Sequence, residues 1–149
     1  MPAQPLSLRA RALKALARRE HSRQELQARL QPFADDPDEI GPLLDDLEKR
    51  GWLSEARFVE HTTTVRRRRF GAARILHELR EKGVSDAALA AAQSQLKHGE
   101  VEAARGVWKR KFGSLPTTLE ERAKQARFLA SRGFSSETVH AVLKKSCED

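Results

Sequence analysis

One cysteine in 149 residues, Cys147 near the end of the chain, leaves no partner for an intrachain disulfide and no thiolate cluster for zinc. A reducing, cytoplasmic setting is expected. Long apolar runs are missing as well. The opening MPAQPLSLRARALKALARRE is broken by Arg and Lys before a signal-peptide core could form, and no segment approaches the ~18 apolar residues of a membrane span. Neither export nor membrane insertion is expected. The five histidines, His21, His61, His77, His98 and His140, are scattered without HExxH or Cys/His spacing, so surface or capping roles are assigned to them and no metal site is expected. A phosphate-cradling glycine loop and a strand-to-helix turn around a nucleophilic serine are also absent. Enzymatic chemistry and a cofactor are therefore not expected. The acidic run from Asp35 to Glu48 lacks the alternating oxygen ligands and turn glycine of a calcium loop, and reads as a solvated loop and helix N-terminus.

What the chain has is positive charge and helical periodicity. Twenty-eight Lys and Arg against 21 Asp and Glu leave +7, a balance that suits a polyanionic partner. Apolar residues make up 39%, enough to fold beneath a heavily charged surface. They recur at steps of three and four, with Gly, Pro and Ser between the periodic stretches, which predicts an all-α protein. Helices are expected over 6–19, from Ser22 to Leu30, from Pro37 to Arg50, over 54–69, 72–82, 86–97, 99–112, 118–131 and 136–145. The first turns Leu6, Ala10, Leu13, Leu16 and Ala17 inward, and the fourth turns Phe58, Thr62 and Val65 inward. Ser22 followed by Glu25 spells a capping box, and Gly51 stands where a left-handed residue ends a helix, with Trp52 and Leu53 folding back.

The helix ends repeat. LREKGVS (79–85) and LASRGFS (129–135) share a leucine, a basic residue, a capping glycine, an apolar residue and a capping serine, with the two leucines 50 apart; Leu30 lies 49 before Leu79. Three tandem three-helix repeats forming an elongated, curved array are predicted, over residues 1–53, 54–97 and 98–149.

Basic residues concentrate near the end of each unit's first helix: Arg11, Lys14 and Arg18; Arg66, Arg67, Arg68 and Arg69 with Arg74; Lys109, Arg110 and Lys111. A solubilising face accounts for any one of them. Three in equivalent places predict a ribbon of positive potential suited to a polyanion or a nucleoprotein. Within the second focus, Val65 and Phe70 are expected to anchor inward, Glu78 to pair with Arg74, Gly71 to permit a chain reversal, and the arginines to splay over the surface.

The segment GWLSEARFVEHTTTVRRRRFGAARILHELREKGVS resembles the middle of the bacterial RecX family, with Gly51, Trp52, Leu53, Arg57, Phe58, Phe70, Gly71, Ala73, Arg74, Ile75, Glu78, Leu79, Lys82 and Gly83 in the family's slots. HSRQEL (21–26), RKFG (110–113) and FLASRGFS (128–135) match in order, so the resemblance spans nearly the whole chain. Ala72 departs from the proline of many relatives, which predicts a less sharp helix start. Gln125 and Ala126 are less bulky than usual, which predicts looser packing in the last unit. The resemblance implies a non-enzymatic modulator that binds the RecA filament on single-stranded DNA, in its groove, and inhibits ATPase, strand-exchange and coprotease activities in recombination, DNA repair and the SOS response. Arg66 to Arg69, Arg74, Lys82 and the other two basic groups are the residues expected at that interface. A direct DNA-binding module is the alternative, and either a monomer or a domain-swapped dimer fits.

Overall fold

A computed structural model describes residues 5–144; Cys147 and the expected last residue of the final helix, 145, lie outside them. Among the described residues there are nine α-helices and no strand: α1 (Leu8–Arg18), α2 (Arg23–Leu30), α3 (Ile40–Lys49), α4 (Glu55–Arg66), α5 (Ala72–Glu81), α6 (Asp86–Lys97), α7 (Glu100–Lys111), α8 (Leu119–Ser131) and α9 (Ser136–Leu143). Side-chain caps set most of the starts. Ser7, Ser54, Ser85, Thr118 and Ser135 each accept the backbone N–H three residues on. Ser22 and Glu25 form the reciprocal capping box that their spacing predicts.

The helices pack in trios, α1–α3, α4–α6 and α7–α9. Three clusters of buried apolar side chains lie inside them: one built on Ala12, Leu26, Leu30, Leu44 and Leu47, a second on Phe58, Ile75, Leu79 and Leu96, a third on Ala104, Leu129, Phe134 and Val142. The protein is thus all-α, made of three-helix units.

Several expected faces are corrected. Leu6 and Ala17 are exposed, and α1 instead buries Ala12 and Ala15, whose small side chains let α2 come close. Val65 is exposed and Val59 is buried beside Phe58; α4 ends at Arg66 rather than running on to Arg69, and a turn and Phe70 follow. His21 is buried, not at the surface, with its Nδ1 3.0 Å from the Arg19 carbonyl oxygen. Burial holds its pKa below the ordinary 6.5 against the raising effect of that hydrogen bond, so the ring is neutral at pH 7. Gln125 does not leave the last unit loose. It is buried, accepts from Trp108 Nε1 at 2.8 Å and donates to the Ser114 carbonyl at 3.1 Å.

The repeated helix end has a repeated job. At the close of α5 and of α8, Gly83 and Gly133 adopt φ of +81° and +95°, a region costly for other residues, and the next residue, Val84 or Phe134, bonds back to Leu79 or Leu129 and is buried. Each of these ends abuts the N-terminus of the second helix in the preceding unit. Gln24, in the first turn of α2, donates Nε2 to the Glu81 carbonyl at 2.8 Å. At the other junction the backbone does this directly: Gly71 N–H donates to the Arg132 carbonyl at 2.7 Å and Ala73 N–H to the Gly133 carbonyl at 3.3 Å. Carbonyls left over at one helix end are therefore satisfied from the start of another, by backbone N–H groups at the α8–α5 junction and by a side-chain amide at the α5–α2 junction, and α8, α5 and α2 stand head to tail.

That arrangement corrects the role expected for Gly71. Its φ is −86°, which any residue adopts; what demands glycine is space, since a Cβ there would sit 2.5 Å from the carbonyl carbon of Gly133. It also explains Ala72. α5 begins sharply at this residue, whose N–H donates to Glu100 Oε1 at 3.2 Å, a bond proline could not make. The other oxygen of Glu100 accepts from Thr138 Oγ1 at 3.0 Å, so one carboxylate ties α5 to α9.

Candidate functional site

The basic residues separate into those that hold the molecule together and those that face outward. Arg66 belongs to the first group. Its Nε and Nη2 donate to Glu78 at 2.9 and 2.6 Å, and its guanidinium lies 4.3 Å from the centre of the Phe70 ring. Arg74 flanks the same ring at 4.3 Å and reaches Glu78 at 3.7 Å, the pair expected from their spacing. Phe70 is buried as expected, beneath three cations, Arg132 being the third at 5.3 Å. Arg67 reaches across to the next unit and donates to the His98 carbonyl at 2.7 Å. Lys82 lies 3.3 Å from Glu25, which Arg19 also pairs at 3.1 Å. Burial alone would raise the Glu25 pKa, but hydrogen bonds from Arg19 and the Ser22 N–H, with Lys82 beside them, outweigh it and hold the carboxyl at about 2. Four of the residues expected at a partner interface, Arg66, Arg67, Arg74 and Lys82, are thus engaged in internal contacts.

The rest gather in two places. Arg110 donates to the Arg68 carbonyl, which brings the turn after α4 against the end of α7. There Arg69, Arg110, Lys111 and Arg132 surround a cleft floored by Val107 and Phe128, and Lys109 is exposed on the same last turn of α7. Arg132 stacks over Phe128 at 5.0 Å with Lys111 at 5.5 Å. Arg68, Arg69, Arg110, Lys111 and Arg132 enter no ion pair among the described residues. This junction focus joins two groups that are some forty residues apart in sequence. Arg132 was legible only as the basic residue of a repeated helix end, not as part of a surface.

Arg11, Lys14 and Arg18 line a different cleft, on the first unit, together with Arg29 of α2 and Phe33. Arg29 and Phe33 are not anticipated from the sequence; packing of α2 on α1 brings them there, and the sequence signal is only the helix break at Pro32. None of these four cations enters an ion pair among the described residues either. The C-terminal part of the acidic run is paired locally, whereas Asp35 and Glu39 line a cleft beside Arg9, Arg11 and Phe33. Asp46 is bonded by Arg9 and by Arg50 at 2.9 Å, which lowers its pKa, and Asp45 and Glu48 each lie 2.8 Å from Arg23. Unpaired cations thus cluster around two clefts, beside others such as Arg80, Lys97 and Lys124 that stand singly on the surface.

No helix among the described residues is long and apolar enough to cross a membrane, and no group of His, Cys, Asp and Glu among them is arranged to hold a metal. Residues 99–143 match the family model described as RecX, third three-helix domain. The chain is 52% identical over 139 residues to the regulatory protein RecX of Leptothrix cholodnii, covering 93% of this chain and 88% of that one. It is 46% identical over 144 residues to the regulatory protein RecX of Ralstonia nicotianae, covering 97% and 91%. Its fold is similar to the crystal structure of RecX from Lactobacillus salivarius, with TM-score 0.77, 17% identity and 92% of both chains covered. A second RecX crystal structure gives TM-score 0.75 at 16% identity, covering 97% of this chain and 83% of that one. The chain belongs to the RecX family of regulatory proteins.

Proposed function

We propose that this protein is a non-enzymatic regulator that binds the RecA filament on single-stranded DNA, along its groove, and inhibits RecA ATPase, strand exchange and coprotease activity in the cytoplasm. The observation that carries this reading is the junction focus. Arg68, Arg69, Arg110, Lys111 and Arg132 stand without carboxylate partners among the described residues, on a backbone held by the Gly71–Arg132 and Ala73–Gly133 hydrogen bonds. Cations carried on a fixed backbone meet a polyanionic nucleoprotein at the cost of ordering side chains alone, not the chain that bears them. In this reading the units run over 1–53, 54–97 and 98–149, an assignment supported by the three buried clusters. Stacked units of this kind touch several protomers at once, so that weak contacts add through effective concentration. Nothing in such a mode needs bond chemistry.

The test is RecA ATPase on single-stranded DNA titrated with this protein, beside a variant carrying Arg68→Gln, Arg69→Gln, Arg110→Gln and Lys111→Gln. Inhibition by the natural chain and its loss in the variant are expected, with little change in melting because exposed charges contribute little to stability. Normal hydrolysis with saturating protein refutes the proposal.

The first-unit cleft favours a second activity beside this one, direct contact with nucleic acid.

A further inference from the structure

We infer that the first unit carries a binding site for single-stranded nucleic acid, in which Arg11, Lys14, Arg18 and Arg29 hold phosphates and Phe33 receives a base. The cleft measures 310 Å³ and its charged lining residues are all cations. Arg9 in α1 is paired with Asp46 and Arg19 just after it with Glu25, whereas the four cations lining the cleft enter no ion pair among the described residues. Arg11 goes further. Its Nε is buried with no hydrogen-bond partner among the described residues, which leaves the outer guanidinium nitrogens as the groups that face the cleft.

The aromatic ring decides between polyanions. Phe33 sits in the short 3-10 turn Gln31–Phe33, held by the Ala34 N–H to Gln31 carbonyl bond at 3.3 Å, and it is 54% exposed although large and apolar. The Arg11 guanidinium stacks 3.6 Å from the ring centre, which fixes the ring between the cation-lined cleft and a neighbouring one that holds Asp35 and Glu39. Duplex DNA keeps its base faces stacked inside and gains nothing from such a ring. An acidic peptide gains from the cations alone. A single strand gains from both, since bases stack on aromatic side chains while the backbone follows positive charge.

The site is independent of recombinase binding, and its test contains no recombinase. Fluorescence anisotropy on the full chain would use an oligothymidylate of about 12 nucleotides, an abasic strand of equal length and a duplex, at several salt concentrations. Phe33→Ala is expected to weaken oligothymidylate binding roughly five- to 150-fold, the range of one missing stack, and to leave abasic and duplex binding unchanged. Phe33→Trp should retain binding and show added fluorescence quenching on mixing. The triple change Lys14→Gln, Arg18→Gln, Arg29→Gln should make the slope of log affinity against log salt shallower by about 0.7 for each phosphate that is no longer neutralised. Equal affinity of the natural chain for oligothymidylate and abasic strand overturns the inference. So does Phe33→Ala that binds oligothymidylate normally, or polyglutamate that displaces the strand at equal charge, which assigns the cleft to an acidic protein surface. In any of those cases filament inhibition, measured separately, is untouched.

Discussion

Gly71→Ala isolates the contact that joins the second unit to the third. At φ −86° and ψ 174° alanine fits the backbone without strain, so any cost arises from space. The added Cβ would lie 2.5 Å from both the carbonyl carbon and oxygen of Gly133 and 2.6 Å from Phe134 N, where ordinary contact is 3.4–4 Å. These are backbone atoms in the closing turn of α8, so the two units must move apart by about an ångström and loosen the Gly71 and Ala73 hydrogen bonds. Overpacking costs about 1–3 kcal/mol and each net hydrogen bond about 1, while reduced freedom of the unfolded chain returns about 0.4–1, leaving about 3 kcal/mol of destabilisation. For a chain of this size that is roughly 6–12 °C in melting temperature. Gly106→Ala is the internal control. In mid α7 its Cβ would meet only the end of the Arg110 side chain at 3.6 Å, and the change should stabilise by about 0.5–1 kcal/mol. Thermal melts of both variants, with amide hydrogen exchange at residues 71 and 73, make the comparison. If Gly71→Ala melts with the natural chain and both amides stay as protected as the middle of α5, the two backbones do not approach as described.

Leu79→Ala and Leu129→Ala each remove a fully buried side chain and should cost about 2–5 kcal/mol in urea unfolding; a null effect at either means the unit cores are misplaced. Arg66→Ala should lower stability by about 1–2 kcal/mol through loss of its two bonds to partly buried Glu78, whereas Arg69→Ala should not. Equal melts would return both residues to the solvent. Glu25 ionises near pH 2 folded against 4.5 unfolded, so its contribution is complete above pH 4.5 and fades as pH falls toward 2; the side chain is 13% exposed, and the contribution is about 3 kcal/mol. Stability measured across that window should flatten in Glu25→Gln. His21 has a lowered pKa too, chiefly from burial, so stability should also decline as pH drops below 6.5, and an NMR titration of its ring that shows an ordinary or raised midpoint contradicts the burial.

Helices were legible because their causes are local. Ser22 reaches Glu25 three residues on, Gly83 and Gly133 end helices through their own backbone, and the leucines at 30, 79 and 129 follow helical period. Faces were less legible where two registers compete. In α1 the expected Leu13 and Leu16 pack against the core, but the deepest positions are Ala12 and Ala15, while Ala17 and Leu6, which precedes the helix, face solvent. The basic cluster was readable as a cluster but not as a division of labour. What separates Arg66 and Arg67 from Arg68 and Arg69 is the position of Glu78, twelve residues on from Arg66, and of the His98 carbonyl, thirty-one on from Arg67. Nothing in the neighbourhood of Gly71 announces Gly133.

The two junctions of the head-to-tail column obey one rule with different stiffness. Where α8 meets α5, helix-end carbonyls and helix-start N–H groups bond directly, with no side chain between them, and Arg67, Arg110 and Glu100 brace the same seam. Where α5 meets α2, the Gln24 side chain carries the bond to Glu81, and Lys82 with Glu25 supplies charge in place of backbone. A side chain has rotamers to lose and a salt bridge is weakened by salt, so the second junction yields before the first. Gln24→Ala combined with Lys82→Ala should therefore loosen the first unit, raising exchange at the start of α2 and the end of α5, while protection at residues 71 and 73 holds. It should also separate the two cationic foci functionally. The junction focus keeps its geometry because none of its residues draws on Gln24 or Lys82, whereas the cleft of Arg11, Lys14, Arg18 and Arg29 moves with the first unit. Filament inhibition that persists in this variant places the necessary contacts at the rigid seam; inhibition that vanishes while the seam stays protected refutes that placement.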